Sequence, residues 1–187
     1  MVFFFFRYGT EATITYLFIG RFFDSGKYDQ DLRNMRIYVD TSVFGGVFDK
    51  EFAEPTKHFF LEVDAGRFSI VTSAIVEAEI EPAPETIRDF FTRYETVAEI
   101  ANITQEMLNL RHQYISSGVV TPKSAEDALH VAIATVTKCN LIVSWNFKHI
   151  VHFDKIPKYN AVNTLNGYGQ IGIYSPMEVI NYDGDDS

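Results

Sequence analysis

Short apolar runs recur from Met35 onward with longer stretches between them, and this alternation restricts the chain to few architectures. Ile37 to Val39, Phe68 to Thr72 and Leu141 to Ser144 are brief and rich in β-branched or aliphatic residues, as strands buried on both faces are. The intervening stretches read as helices. Pro55 to Ala65 opens on a helix-compatible proline and stops at Gly66, while Ala74 to Glu81 stops at Pro82 and Pro84. Thr86 to Tyr94 follows as another helix, and Thr104 to Ser117 runs from a threonine cap to Gly118. The clearest helical pattern spans Pro122 to Lys138. Thr121 is placed to cap it, Pro122 suits its first position, and Ala125, Ala128, Leu129, Ala132, Ile133 and Val136 recur at helical spacing. A last strand near Ile171 to Tyr174 and a short helix from Pro176 complete the series. Strands separated by helices predict an α/β fold: a mainly parallel central sheet with right-handed crossovers and helices on both sides.

At 187 residues the chain is long enough for one domain with sequence to spare. Residues 1–34 differ from the rest, with Phe3 to Phe6, an apolar stretch from Ile14 to Phe23, and a polar stretch from Asp24 to Asn34. Gly20 and Arg21 interrupt the longer apolar run, which falls short of the ~20 residues of a membrane span. The segment also lacks the basic start and small-residue cleavage site of a secretory signal. Because Met35 directly precedes the first strand, 1–34 reads as an extension, translated from an upstream start codon. The domain is then 35–180, and 181–187, with Asp183, Asp185 and Asp186, reads as an acidic tail. The lone Cys139 has no partner in the chain for a disulfide and follows a helix, so it reads as a small buried hydrophobe in a reduced, cytoplasmic protein without a membrane partner. A net charge of −9 excludes a broad basic surface tracking many phosphates, but not a metal-dependent hydrolase, whose centre needs concentrated carboxylates.

Polar oxygen-bearing residues stand where the apolar runs give out: Asp40 after Arg36-Ile-Tyr-Val39, Glu79 in Ser73-Ala-Ile-Val-Glu-Ala-Glu79, Asp127 early in its helix, and Asn146 after Leu141-Ile-Val-Ser-Trp145. In an open parallel sheet, sites form at the carboxyl ends of the strands. Asp40 and Asn146 belong to that rim, and the helix positions of Glu79 and Asp127 point to it. Two carboxylates ~4 Å apart repel by about 4 kcal/mol at an effective dielectric of 20, so a proton or a cation must relieve such a cluster. Oxygen donors favour Mg²⁺ or Mn²⁺ over zinc, and such ions suit phosphodiester hydrolysis. Each residue also has a plainer role: Asp40 as a helix cap, Asp127 as a favourable charge in a first helical turn, Glu79 and its neighbours Glu77 and Glu81 as solvated helix positions. His130, one turn after Asp127, is a candidate substrate contact, though a satisfied core histidine is the better reading of its spacing. Lys148 and His149 sit at the rim where they can meet a phosphate or serve structure alone. His58, His112 and His152 show no metal-ligand spacing with one another.

Taken in order, these segments resemble the PIN-domain ribonucleases. Met35-Arg-Ile-Tyr-Val-Asp40-Thr-Ser resembles the family's opening strand. Thr72-Ser-Ala-Ile-Val-Glu-Ala-Glu79 is similar to its second acidic motif, whose spacing selects Glu79 rather than Glu77. Asp127-Ala-Leu-His130-Val-Ala-Ile-Ala and Leu141-Ile-Val-Ser-Trp-Asn146-Phe-Lys-His149 resemble the third and fourth motifs. The resemblance covers about residues 35–180. It implies a PIN-like fold, a Mg²⁺- or Mn²⁺-dependent endoribonuclease, and kinship with VapC-like toxins of toxin–antitoxin pairs, with RNA as substrate, an antitoxin protein as partner and a homodimer as the assembly. Asp40, Glu79 and Asp127 would be metal ligands, Asn146 a weaker or water-mediated one, and Ser42 or Thr41 would hold a metal-bound water. Asn146 departs from the fourth carboxylate of many relatives and lowers the negative charge by one, which favours a single ion. Two rivals remain: a PIN-like binding module with weak or vestigial catalysis, and a phosphatase on the same frame.

Overall fold

β1 (Met35–Val39) forms the centre of the sheet in this computed structural model, which describes residues 35–180. The extension read at 1–34 and the tail read at 181–187 lie outside the described residues. Ile37, Tyr38 and Val39 are all fully buried, which requires cover on both faces of the strand. From β1 the chain passes through α1 (Thr41–Gly46) and α2 (Ala53–Asp64) to β2 (Phe68–Ser73), then through α3 (Ala74–Ile80) and α4 (Glu85–Glu95) to the edge strand β3 (Glu99–Ala101). It returns by α5 (Gln105–Ser116), a 3₁₀ turn (Pro122–Ser124) and α6 (Ala125–Val136) to β4 (Leu141–Val143), which lies on the other side of β1. α7 (Ile156–Leu165), β5 (Gly172–Tyr174) and α8 (Pro176–Val179) close the fold.

The strand order is β3-β2-β1-β4-β5, and every pairing is parallel. This is the α/β architecture that the alternation predicts, a sheet flanked by helices. Ile37 is set against Ile70 on one side and Leu141 on the other, so β1 aligns both halves of the sheet. The order reverses between β1 and β4, the point of a parallel sheet beyond whose carboxyl ends binding crevices form.

The predicted helices are present within a residue or two, with informative differences. Thr104 caps α5 through its hydroxyl, which accepts from Met107 N, and Gly66 and Gly118 take positive φ where their helices stop. Thr121 makes no side-chain cap; Pro122–Ser124 winds as a 3₁₀ turn first, and the α-helix starts only at Ala125. In α6 every residue from Ala128 to Thr135 is buried, so it is an enclosed helix rather than a surface one. Cys139 is buried, as its sequence context predicts. No helix among the described residues is long and apolar enough to cross a membrane.

α1 is held close to the loop after β4 by an absent side chain. A Cβ on Gly46 would lie 2.7 Å from Trp145 Nε1 and 2.9 Å from Thr56 Oγ1, whereas one on Gly45 would meet nothing within 4 Å. Gly46→Ala is therefore expected to destabilise by about 1–3 kcal/mol through overpacking, and Gly45→Ala to stabilise by roughly 0.5–1 kcal/mol as a helical alanine. Urea unfolding of the two variants checks this, and equal effects would contradict the packing argument.

Candidate active site

Asp40 continues β1 by one more ladder bond, its N–H donating to Val143 O at 3.1 Å, before α1 begins. Its extended backbone occupies the N-cap position of α1, but its side chain makes no cap. Instead the carboxylate is buried and claimed by hydroxyls from both loops: Ser42 Oγ donates to Oδ2 at 2.6 Å and Ser144 Oγ to the same oxygen at 2.7 Å. Trp145 N–H donates to Ser42 Oγ at 2.9 Å and Asn146 N–H to Ser144 Oγ at 2.9 Å. Each hydroxyl is thereby oriented toward Asp40 by the backbone of the loop after β4.

Glu79 arrives from the last turn of α3, half-buried, and accepts a hydrogen bond from Thr41 Oγ1. Glu77 lies elsewhere, hydrogen-bonded to Glu95; burial first, and then that second carboxyl, raises its pKa. Asp127, in the first turn of α6, accepts from Asn146 Nδ2 at 2.5 Å. Asn146 is fixed at its other end, where Oδ1 accepts the His149 N–H at 3.0 Å. The amide therefore presents its NH₂ to Asp127 while its oxygen caps the turn that follows. Thr41 and Ser42, read as holders of a water, engage Glu79 and Asp40 directly.

His130 joins the carboxylates. It is 3 % exposed, and its Nε2 lies 3.2 Å from Glu79 Oε2 and 3.5 Å from Asp40 Oδ1, while Nδ1 is 2.9 Å from the Tyr38 hydroxyl. Burial disfavours its charge, but Asp40, then Glu79, and more weakly Asp127 outweigh it and raise the His130 pKa above the ordinary value. Glu79 responds in the opposite sense: burial works against ionisation, but His130 and Thr41 prevail and hold its pKa low. With both ring nitrogens protonated, His130 donates from Nδ1 to Tyr38, whose hydroxyl in turn donates to Ser73 Oγ at 2.8 Å. Burial raises the Tyr38 pKa, so it remains a phenol and a donor. His130 is thus a core histidine by burial and a charge partner of the site by contact.

Tyr38, Ser73 and Ser144 are the site residues that sequence reasoning left out. Ser144 had a signal, since it ends the β4 run as Asp40 ends that of β1, and so did Ser73, which closes the β2 run in the motif that selects Glu79; Tyr38 sits within its strand and had none. Lys148 is exposed, and His149 is half-buried between Ser124 Oγ at 3.2 Å and Lys155 Nζ at 2.9 Å. Burial, and next the charge of Lys155, lower the His149 pKa. The oxygen donors of Asp40, Glu79 and Asp127 are of the chemical kind that a hard divalent cation takes. Among the described residues, no group of three or more His, Cys, Asp or Glu is arranged to hold a metal ion.

No family model matches the chain. No curated protein matches it either. Among solved structures it is similar to the crystal structure of VapBC2 from Rickettsia felis bound to a DNA fragment from their promoter, at 19% identity and a TM-score of 0.46 over 61% of this chain and 90% of that one.

Without metal, the site should report itself through stability. The raised His130 pKa contributes stability that is fully present below the ordinary histidine value of 6.5 and lost as pH rises through the folded value. The lowered Glu79 pKa contributes stability present above 4.5 and lost as pH falls through its folded value. Thermal unfolding in chelator should therefore show Tm falling above pH 6.5, and His130→Gln should flatten that fall; an unchanged slope in the variant would sink the assignment.

Proposed function

We propose that this chain is a divalent-cation-dependent endoribonuclease of the PIN-domain type, acting as the toxin of a toxin–antitoxin pair. The observation that supports it is that Asp40 and Glu79, from separate parts of the chain, both lie against His130 Nε2 beside the reversal of strand order between β1 and β4, while Asp127 is tied to the same rim through Asn146. All four sequence motifs of the resemblance contribute to this one crevice, on the parallel sheet that it implies. RNA as substrate, an antitoxin as partner, a cytoplasmic setting and a homodimer belong to the same reading.

In this reading Asp40, Glu79 and Asp127 hold one Mg²⁺ or Mn²⁺, and the cation supplies charge stabilisation at the phosphate and acidifies a water. Ser42 and Ser144 fix Asp40 through one oxygen, leaving Oδ1 to face the crevice side shared with His130. Thr41 sets the rotamer of Glu79, and Asn146 sets that of Asp127. Asn146 therefore serves as a positioning residue whose amide hydrogen bond orients a ligand. Two contacts favour the second reading, a PIN-like module that binds without cutting: His130 Nε2 already lies against Asp40 and Glu79, and the Asn146 oxygen is spent on His149.

Incubation with structured RNA and Mn²⁺ should give cleavage that Asp40→Ala reduces at least ~1,000-fold, the scale of losing a group that stabilises transition-state charge. No cleavage by the wild type, together with no Mn²⁺ binding at millimolar concentration by calorimetry, would establish the second reading. Asn146→Asp places a carboxylate against Asp127, so metal-free Tm should fall and Mn²⁺ should bind roughly tenfold more tightly, as ligand charge dictates. Calorimetry with paired melts measures both.

A further inference from the structure

The segment after Asn146 alternates exposed rings with cations. Trp145 is buried, stacked on Phe52 at a centroid distance of 4.4 Å and an interplanar angle of 22°, with its Nε1 donating to Thr56 Oγ1 at 2.9 Å. Phe147 lies beside this pair, 5.9 Å from Trp145 and 6.3 Å from Phe52, but is 47% exposed. It sits one residue from Asn146, whose side chain touches Asp127, so its ring is carried by the same backbone that orients the carboxylates. Further along, Phe153 is 89% exposed, the most exposed large hydrophobic among the described residues.

Cations accompany these rings. From 148 to 158 the chain carries Lys148, Lys155 and Lys158 against Asp154, in a protein of net charge −9. Lys155 is held in place, its Nζ donating to Lys148 O at 2.8 Å and lying 2.9 Å from His149 Nδ1. The Tyr159 hydroxyl donates to His149 O at 3.1 Å, fixing the same turn from below. Solvated rings on a segment that also carries cations are complementary to a strand that presents flat bases and charged phosphates together. A duplex hides the faces of its bases in the stack and offers only the phosphates.

We propose that residues 147–155 form a seat for single-stranded RNA, in which Phe147 stacks on an unpaired nucleobase while Lys148 and Lys155 take the adjoining phosphates. This deepens the ribonuclease reading and rests on it for the identity of the crevice; what it adds is the assignment of Phe147, Lys148 and Lys155 to the base and the phosphates beside the carboxylates. Phe147 is a positioning residue here. It touches the substrate's base and leaves the reacting phosphate to the acidic cluster.

The test is fluorescence anisotropy with the full chain and three labelled probes: a mixed-sequence single-stranded RNA of about a dozen nucleotides, the same strand with abasic positions, and its duplex, all in chelator so that binding is read without cleavage. Phe147→Ala should weaken binding of the intact strand roughly 5- to 100-fold, the range that base–aromatic stacking supplies, and leave the abasic strand unchanged. Phe147→Tyr should restore it. Lys148→Ala should weaken both strands alike and lower the salt slope by about 1. The proposal is overturned if Phe147→Ala binds the intact strand as the wild type does, if it loses both strands equally, or if the duplex binds as tightly as the single strand. Cleavage in Mn²⁺ is scored separately: Phe147-dependent binding without cleavage defeats the nuclease reading alone, and cleavage with Phe147-independent binding defeats the seat alone.

Discussion

The parallel pairing of β1 with β4 is the constraint on which the site depends. Val39 is set against Val143, and the next ladder bond, from Asp40 N–H to Val143 O, carries the register one step beyond the strands. That step places Asp40 and Ser144 side by side although 104 residues separate them. Because side chains alternate along a strand, a slip of one residue would turn Asp40 away from Ser144 and set Tyr38 and Val39 against layers packed for each other's side chains. Register in the core and geometry in the crevice are thus one requirement, enforced by the burial of Ile37, Tyr38, Val39, Ile142 and Val143.

Much of this was legible in the sequence wherever the local signal was strong. β1, β2 and β4 are short branched runs, and α6 has unbroken helical periodicity. The elements that escaped had weak or contradictory signals. β3 is a three-residue edge strand beginning with Glu99, too short for any alternation to show. α7 carries Asn160, Asn163 and Thr164, poor helix formers, and two of these side chains turn inward: Asn163 meets Tyr114 and Thr135, and Asn160 accepts from Ile171 N. α1 is six residues ending in two glycines, and it is held by the burial of Val43 and Phe44 rather than by propensity.

The site divides along the same line. Its acidic members stand at the ends of recognisable runs, so their positions could be read one by one. The contacts that give them roles are long-range. Tyr38 meets His130 across 92 residues and Thr41 meets Glu79 across 38, and no periodicity encodes such pairs. Asn146 shows the limit best: its position was visible from the end of β4, but its amide orientation follows from the His149 N–H, which only the folded turn supplies.

The placement of His130 bears on how the protein comes into being. In domains whose ligands are uncompensated charges, folding waits for the metal and a chelator unfolds the chain. Here an internal imidazole, braced through Tyr38 to the sheet, stands between Asp40 and Glu79, and those two carboxylates favour its charged form. A newly made chain can therefore complete this part of its fold with partners it carries itself, Ser42, Ser144, Thr41 and His130.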